Sequence, residues 1–300
     1  MFTLADHKIL KVQDFVPGEV IDWGVQMVMA PLAWKFVKGD GVKVAVLDTG
    51  VDVNHPDLKE NILCAANFTT SDRGDFVDRH GHGTHVAGII AGTDNGRGVV
   101  GVAPKCKLVI AKVLGDDGRG ELEWIAAGLL WALEQEADII SMSLGTSSQL
   151  PDEFHSLIKT VVDAGAVVVA AAGNESGRVG YPAAYEEVIA VTAVDPGMDP
   201  AVFTNRGPEA FVSAPGVDIL STFPPARYAV LSGTSMAAPV VSGVLALYLA
   251  LAYKRGLELR PGEVKQCLAH AAVDLGPEGR DDTYGFGLIN AVKLLKFKRV

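Results

Sequence analysis

The sequence predicts an α/β fold in three layers, with a mainly parallel, twisted sheet and helices on both faces. Short runs rich in Val, Ile and Ala stay apolar throughout instead of alternating, the pattern of strands buried on both sides. Longer segments with helical periodicity stand between them, and that alternation is the mark of βαβ units. The bulk composition agrees: 300 residues, 49% hydrophobic and 21% charged, suffice for one large core.

The strands in order are VKVAVLD (42–48), KLVIAKVL (107–114), DIISMSL (138–144), AVVVAAA (166–172) and VIAVTAV (188–194). The helices between them are HVAGIIAG (85–92), ELEWIAAGLLWALEQE (121–136) and PDEFHSLIKTVVDAG (151–165). The run from Ser235 to Tyr253 reads as a buried central helix. Its apolar part, Val240 to Tyr253, is broken by Ser242 and Gly243 and reads as too short to span a bilayer. PGEVKQCLAHAA (261–272) is a surface helix opened by Pro261. There is no internal repeat, low-complexity segment or interdomain linker. One domain, residues 19–300, follows an N-terminal arm, residues 1–18.

The net charge of −10 argues against a nucleic-acid partner, which would need a basic face. Cys64, Cys106 and Cys267 are odd in number and lack metal-ligand spacing, so they read as small buried apolar residues in a reducing compartment. The opening MFTLADHKILKVQDF has no apolar run of the signal-peptide kind. A soluble, cytoplasmic protein is expected, without membrane partners.

Four polar residues stand at places where chemistry is done in such sheets, beyond the carboxyl ends of the strands. Asp48 ends the strand VAVLD; alone it would read as a turn cap. His82 lies in HGHGTHVAG (80–88), where glycines allow close backbone approach at a helix start. The histidines at 80, 82 and 85 do not share a helix face, and no HExxH pattern is present, so a metal site is not indicated. Ser235, in LSGTSMAAPVVSG (231–243), begins a helix, with its N–H at the positive end of the helix dipole. A serine hydroxyl needs an adjacent base to become a nucleophile. Asn174, in AAGNES (171–176), follows a strand and offers a side-chain amide as an oxyanion donor. Pro239 is expected in the first helical turn, where its missing N–H has no acceptor.

Taken together, VAVLDTG, HGTHVAG, AAGNE and GTSMAAP resemble the subtilisin family of serine peptidases, in the family's order Asp, His, Ser. The resemblance runs from about Trp23 to about Ala291. It implies a subtilisin-like fold and peptide-bond hydrolysis through an acyl-enzyme. Ser235 would be the nucleophile, His82 the general base and then acid, and Asp48 its orienting partner. Asn174 and the Ser235 N–H would bind the oxyanion, while His85 would be structural and His80 solvent-facing. The resemblance also implies a protein or peptide substrate bound as an added strand. One edge would be LGDDGRG (114–120), with Leu114, Gly115, Gly118 and Gly120. The other would be Ser143, Leu144 and Gly145. Leu114, Leu122 and Gly145 would line apolar pockets. Gly173, Glu175 and Gly180 would frame the pocket for the residue before the cleaved bond, with a preference for large apolar side chains and tolerance of basic ones.

Calcium is implied too, held by side chains of Asp57 and Asn95 and carbonyls of Thr93, Arg97 and Val99, with Glu19 a further candidate. A weaker cation site would lie near Ala183, Tyr185 and Val188. Val240 stands where many relatives carry His. The missing signal peptide, the acidity and the arm are similar to the intracellular subtilisins of bacteria. In that branch a short N-terminal extension blocks the active site and the enzyme is a homodimer. The branch's Leu-Ile-Pro-Tyr-like motif is missing, and FVPG (15–18) is a poor substitute. The rival readings are a catalytically silent peptide-binding relative, which would have lost Ser, His or Asp, and a doubly wound small-molecule enzyme, which would want GxGxxG or GxSxG. Neither mark is present.

Overall fold

The computed structural model describes residues 1–4, 8–70 and 72–297. The chain opens with β1 (Phe2–Thr3), β2 (Lys8–Gln13), β3 (Glu19–Ile21), α1 (Trp23–Met27) and α2 (Ala30–Ala33). Next come β4 (Lys43–Asp48), β5 (Ile62–Asn67), α3 (His82–Ala91), β6 (Gly98–Val100), β7 (Lys107–Lys112), β8 (Arg119–Gly120) and α4 (Leu122–Glu134). They are followed by β9 (Ile139–Met142), α5 (Asp152–Asp163), β10 (Val167–Ala171) and β11 (Ile189–Val194). The chain closes with β12 (Val212–Pro215), β13 (Ile219–Phe223), β14 (Arg227–Ser232), α6 (Thr234–Lys254), α7 (Pro261–Ala271) and α8 (Ala291–Lys296).

Seven strands form one parallel sheet in the order β12-β11-β10-β9-β4-β7-β5. The inner strands are buried along nearly their whole length, so both sheet faces are covered, as the continuous apolar runs predict. Helix α6 packs on β9 to β12 and against α3; α4 packs on β4 and β7 and against α5. The order turns at β4: β5 and β7 lie to one side, and β9 to β12 to the other. A crevice opens at the carboxyl ends of the strands at such a turn. Asp48 is the last residue of β4.

Three expectations are corrected. Helix α3 begins at His82, three residues before the predicted start, because a carboxylate outside the helix caps it, as shown below. Helix α6 has 21 residues and is long and apolar enough to cross a membrane, yet its apolar span lies wholly inside the molecule. Cys106 and Cys267 are buried, but Cys64 is partly exposed. Burial pushes the Cys106 thiol up to about 12, which makes it inert.

Candidate active site

Asp48 and His82 form the buried heart of the site. His82 Nδ1 lies 2.8 Å from Asp48 Oδ1, and both side chains are fully buried. The same carboxylate oxygen accepts the Thr49 N–H at 2.7 Å, which fixes its plane. An Nδ1–H held by a carboxylate leaves Nε2 as the basic nitrogen. Gly83 lets α3 approach the end of β4: a Cβ there would overlap the Gly50 carbonyl and crowd Asp48 Cβ.

Asp78 was missed by sequence reasoning and braces this corner. Its carboxylate accepts from the Thr49 hydroxyl (2.9 Å), the Gly81 N–H (2.8 Å), the Thr84 N–H (2.8 Å) and the Thr84 hydroxyl (2.6 Å). Gly81 precedes α3 and carries no side chain, so Asp78 serves the orphan N–H groups of the first turn. Lys112, 3% exposed, donates to the Thr49 carbonyl at 2.7 Å and pairs with Asp116 Oδ1 at 2.9 Å. His80, expected to face solvent, is half-buried, with its ring 6.3 Å from that of His82; burial, then the neighbouring His82, lowers its pKa. His85 is structural as expected: Nε2 reaches the carbonyls of Ile219 (3.1 Å) and Ala229 (3.0 Å), joining α3 to β13 and β14.

Ser235 is the second residue of α6, the helix that packs on α3. Its hydroxyl donates to the Ser143 carbonyl at 3.2 Å, and the Ser143 hydroxyl donates back to the Ser235 carbonyl at 2.8 Å. Pro239 explains the return bond. It lies inside α6, not in the first turn, and its missing N–H is the one that would reach the Ser235 carbonyl four residues back. Asn174 is turned by its oxygen: Oδ1 accepts from the Thr234 N–H and the Thr234 hydroxyl, both at 2.8 Å. The donor end, Nδ2, therefore faces Gly233, where an added Cβ would lie 3.0 Å away.

The two predicted edges are present, and a strand lies between them. It is β1 of this chain. Phe2 pairs with Gly120 and Thr3 with Arg119, antiparallel. Thr3 and Gly145 exchange both backbone bonds at 3.1 Å, and the Leu4 N–H donates to Gly118 at 3.0 Å. Phe2 is fully buried, its ring 5.7 Å from that of Phe154. The described arm segment in the cleft is thus Phe2–Leu4. Residues 5–7 lie outside the described residues. Among the described residues Gly115 does not bond to the arm; its N–H turns back to the Arg119 carbonyl at 2.7 Å. Leu114 is buried and Leu122 half-buried in the core beside the edge.

Leu144, Gly145, Gly173, Glu175, Gly180 and Ser235 line one pocket, together with Asn205. Asn205, which no local signal marked, organises its rim. Its oxygen accepts from the N–H groups of Glu175 and Gly177 at 2.9 Å, and its nitrogen donates to Glu175 Oε2 at 2.7 Å. A Cβ on Gly173 would collide with Asn205, and one on Gly180 would press on the Thr146 carbonyl at 3.0 Å.

Comparison with known proteins decides the family. The profile of the subtilase family matches residues 39–287. The chain belongs to the subtilase family. Over 304 residues it is 46% identical to an intracellular serine protease of Paenibacillus polymyxa, covering 97% of this chain and 92% of that one. It is 50% identical to the major intracellular serine protease of Bacillus subtilis over 235 residues, 75% of this chain and 73% of that one. A subtilisin of Bacillus pumilus is 41% identical over 283 residues, 91% and 98% of the two chains. This subtilase is a serine endopeptidase of the subtilisin type.

Away from the cleft, the subtilase buries a second carboxylate. Asp57 is fully buried; its oxygens accept from the Asn95 amide (3.1 Å), the Val99 N–H (3.0 Å) and the Tyr228 hydroxyl (2.9 Å). Among the described residues no ion pair reaches it. Gly98 makes the contact possible, since a Cβ there would overlap the carboxylate. Thr93 bonds to the Asp57 carbonyl through its N–H (2.9 Å) and its hydroxyl (3.1 Å). Glu19, at the start of β3, accepts the Gly96 N–H at 2.7 Å. Arg97 joins through its N–H on Asn95 Oδ1 at 3.2 Å. At the weaker expected cation position, the Lys265 ammonium donates to the carbonyls of Glu186 and Val188, so a fixed cation already stands there.

Proposed function

We propose that this subtilase cleaves peptide bonds with Ser235 as nucleophile, His82 as general base and acid, and Asp48 as the group that holds His82. The observation that carries this reading is the buried 2.8 Å contact between His82 Nδ1 and Asp48, with Ser235 at the start of the neighbouring helix. Ser235 Oγ turns from the Ser143 carbonyl, gives its proton to His82 Nε2 and attacks the substrate carbonyl. The oxyanion is met by the Ser235 N–H and by Asn174 Nδ2, whose orientation is locked by Thr234. His82 passes the proton to the departing amine, and the C–N bond breaks. A water then gives a proton to His82 as its oxygen attacks the ester carbonyl, and His82 returns that proton to Ser235 Oγ as the C–O bond breaks.

The small residues of the pocket and the tethered Glu175 suit large apolar side chains before the cleaved bond, with basic ones tolerated at the rim. The cytoplasmic location follows the two relatives named as intracellular proteases. Residues 1–18 act as an inhibitory arm, because β1 fills the gap a substrate strand would fill.

Calcium is the cation that fits the Asp57 loop. A buried carboxylate without a cationic partner is costly, and Asp57, Glu19, Asn95 and the loop carbonyls of Thr93, Arg97 and Val99 are hard oxygen donors. A bound ion would neutralise Asp57 and fasten β3 to the loop; chelation should then lower Tm. For the catalytic reading, a chromogenic peptide with Leu or Phe before the cleaved bond is the test. Wild type should hydrolyse it slowly, Phe2→Asp faster, and Ser235→Ala not at all. Equal rates for wild type and Phe2→Asp would remove the inhibitory role; an active Ser235→Ala would remove the nucleophile.

A further inference from the structure

The arm does more than fill the cleft. After Leu4, three residues lead to β2, which pairs antiparallel with β14 from Lys8↔Ser232 to Gln13↔Tyr228. Ser232 stands three residues before Ser235. The arm therefore has β1 in the cleft, where Thr3 and Ser235 line one pocket, and β2 along β14. Its direction is set by the antiparallel pairing of β1 with β8. A substrate in the same direction has its acyl part where β1 lies, and its leaving segment emerges at β14.

β14 has β13 on one side and β2 on the other. β2 is held through its backbone and not through a core: Ile9, Leu10 and Val12 stay 46%, 42% and 40% exposed, and the pairing shifts register at Leu10. Such pairing is indifferent to sequence and reversible. When β2 leaves, β14 becomes an open edge of main-chain donors and acceptors beside the nucleophile.

We propose that the edge of β14, Tyr228–Ser232, is a docking strand for the substrate on the leaving side of the cleaved bond. It takes an extended polypeptide by strand addition well beyond the residues next to that bond. The proposal rests on reading the arm as a removable occupant of the cleft. It makes the enzyme selective for long unfolded segments over short peptides, and its contacts are to backbone, so side-chain identity there counts little.

The test uses the full chain carrying Phe2→Asp, Lys11→Pro and Val12→Pro. The aspartate unseats β1 from its buried pocket; of the two prolines, one removes an N–H that faces β14 whichever way the strand alternates. Quenched fluorescent peptides share one acyl part and carry two, five or nine residues after the cleaved bond; Gln13 is the ninth residue after Leu4. kcat/KM should rise by about tenfold from the shortest to the longest, as expected for a few added backbone hydrogen bonds. N-methylation of alternate amides in the leaving segment should abolish the gain. Cleavage of all three peptides at one kcat/KM, or a gain that survives N-methylation, would overturn the docking strand and leave the catalytic reading standing. No cleavage of any peptide would overturn the catalytic reading and the docking strand with it.

Discussion

The Ser143 hydroxyl donates to the Ser235 carbonyl at 2.8 Å, taking up the acceptor that Pro239 leaves without a helical N–H. The Ser235 backbone is thereby tied to the end of β9, and the Ser235 hydroxyl rests on the Ser143 carbonyl in return. Ser143→Ala leaves a buried carbonyl unsatisfied, a cost of about 1–3 kcal/mol. Stability should fall by that amount and kcat should fall with it. Pro239→Ala restores an N–H to the same carbonyl, so the effect of Ser143→Ala should shrink in that background. A double-mutant cycle measures this; strict additivity would show that the two groups do not serve one carbonyl.

Asp78 is a positioning residue. Its carboxylate meets the first turn of α3, which carries His82, and Thr49, whose N–H bonds to Asp48. Asp78→Ala should lower kcat about a hundredfold, the scale of a misplacement near 1 Å, with KM changed little. An equal loss in kcat/KM arising from KM alone would contradict a positioning role. Asp78→Asn keeps one acceptor and should recover part of kcat.

Lys265 gives a pH signature. Burial drives its pKa from 10.5 down to about 8, with Arg280 adding to the fall and the carboxylates of Glu186 and Glu187 opposing it. Between those values the unfolded chain holds the extra proton, so this residue makes stability rise with pH from about 8 to 10.5. Lys265→Met should remove that rise. Thermal unfolding of both proteins from pH 8 to 10 is the measurement, and parallel curves would mean that Lys265 does not titrate there.

Much of this was readable from residues alone. The inner strands β4, β7, β9, β10 and β11 are continuous apolar runs, because both of their faces are covered. Asp48, His82, Asn174 and Ser235 stood out since each lies at or just past the end of a strand or at the start of a helix. β5 escaped notice because ILCAAN mixes half-buried small residues with a polar end. The start of α3 was misjudged because Gly and His are weak helix residues, and the carboxylate that caps it, Asp78, precedes the helix. Asn205 meets Glu175 across thirty residues, with no local pattern to betray it. Ser143 was legible as a cleft edge, but its hydroxyl's target follows only once Pro239 is seen to lie within α6. The arm was read as a blocking extension that lacks the branch's motif, whereas pairing with β8 and Gly145 depends on backbone and needs no such motif.

Covalent labelling tests the central claim most directly. The Phe2→Asp protein would be treated with a serine-directed sulfonyl fluoride, and the modified residue mapped by mass spectrometry alongside peptide hydrolysis. One equivalent on Ser235, with activity falling in step, is the expected result. Hydrolysis that persists after Ser235 is fully labelled, or inactivation with the label on another residue, would contradict it.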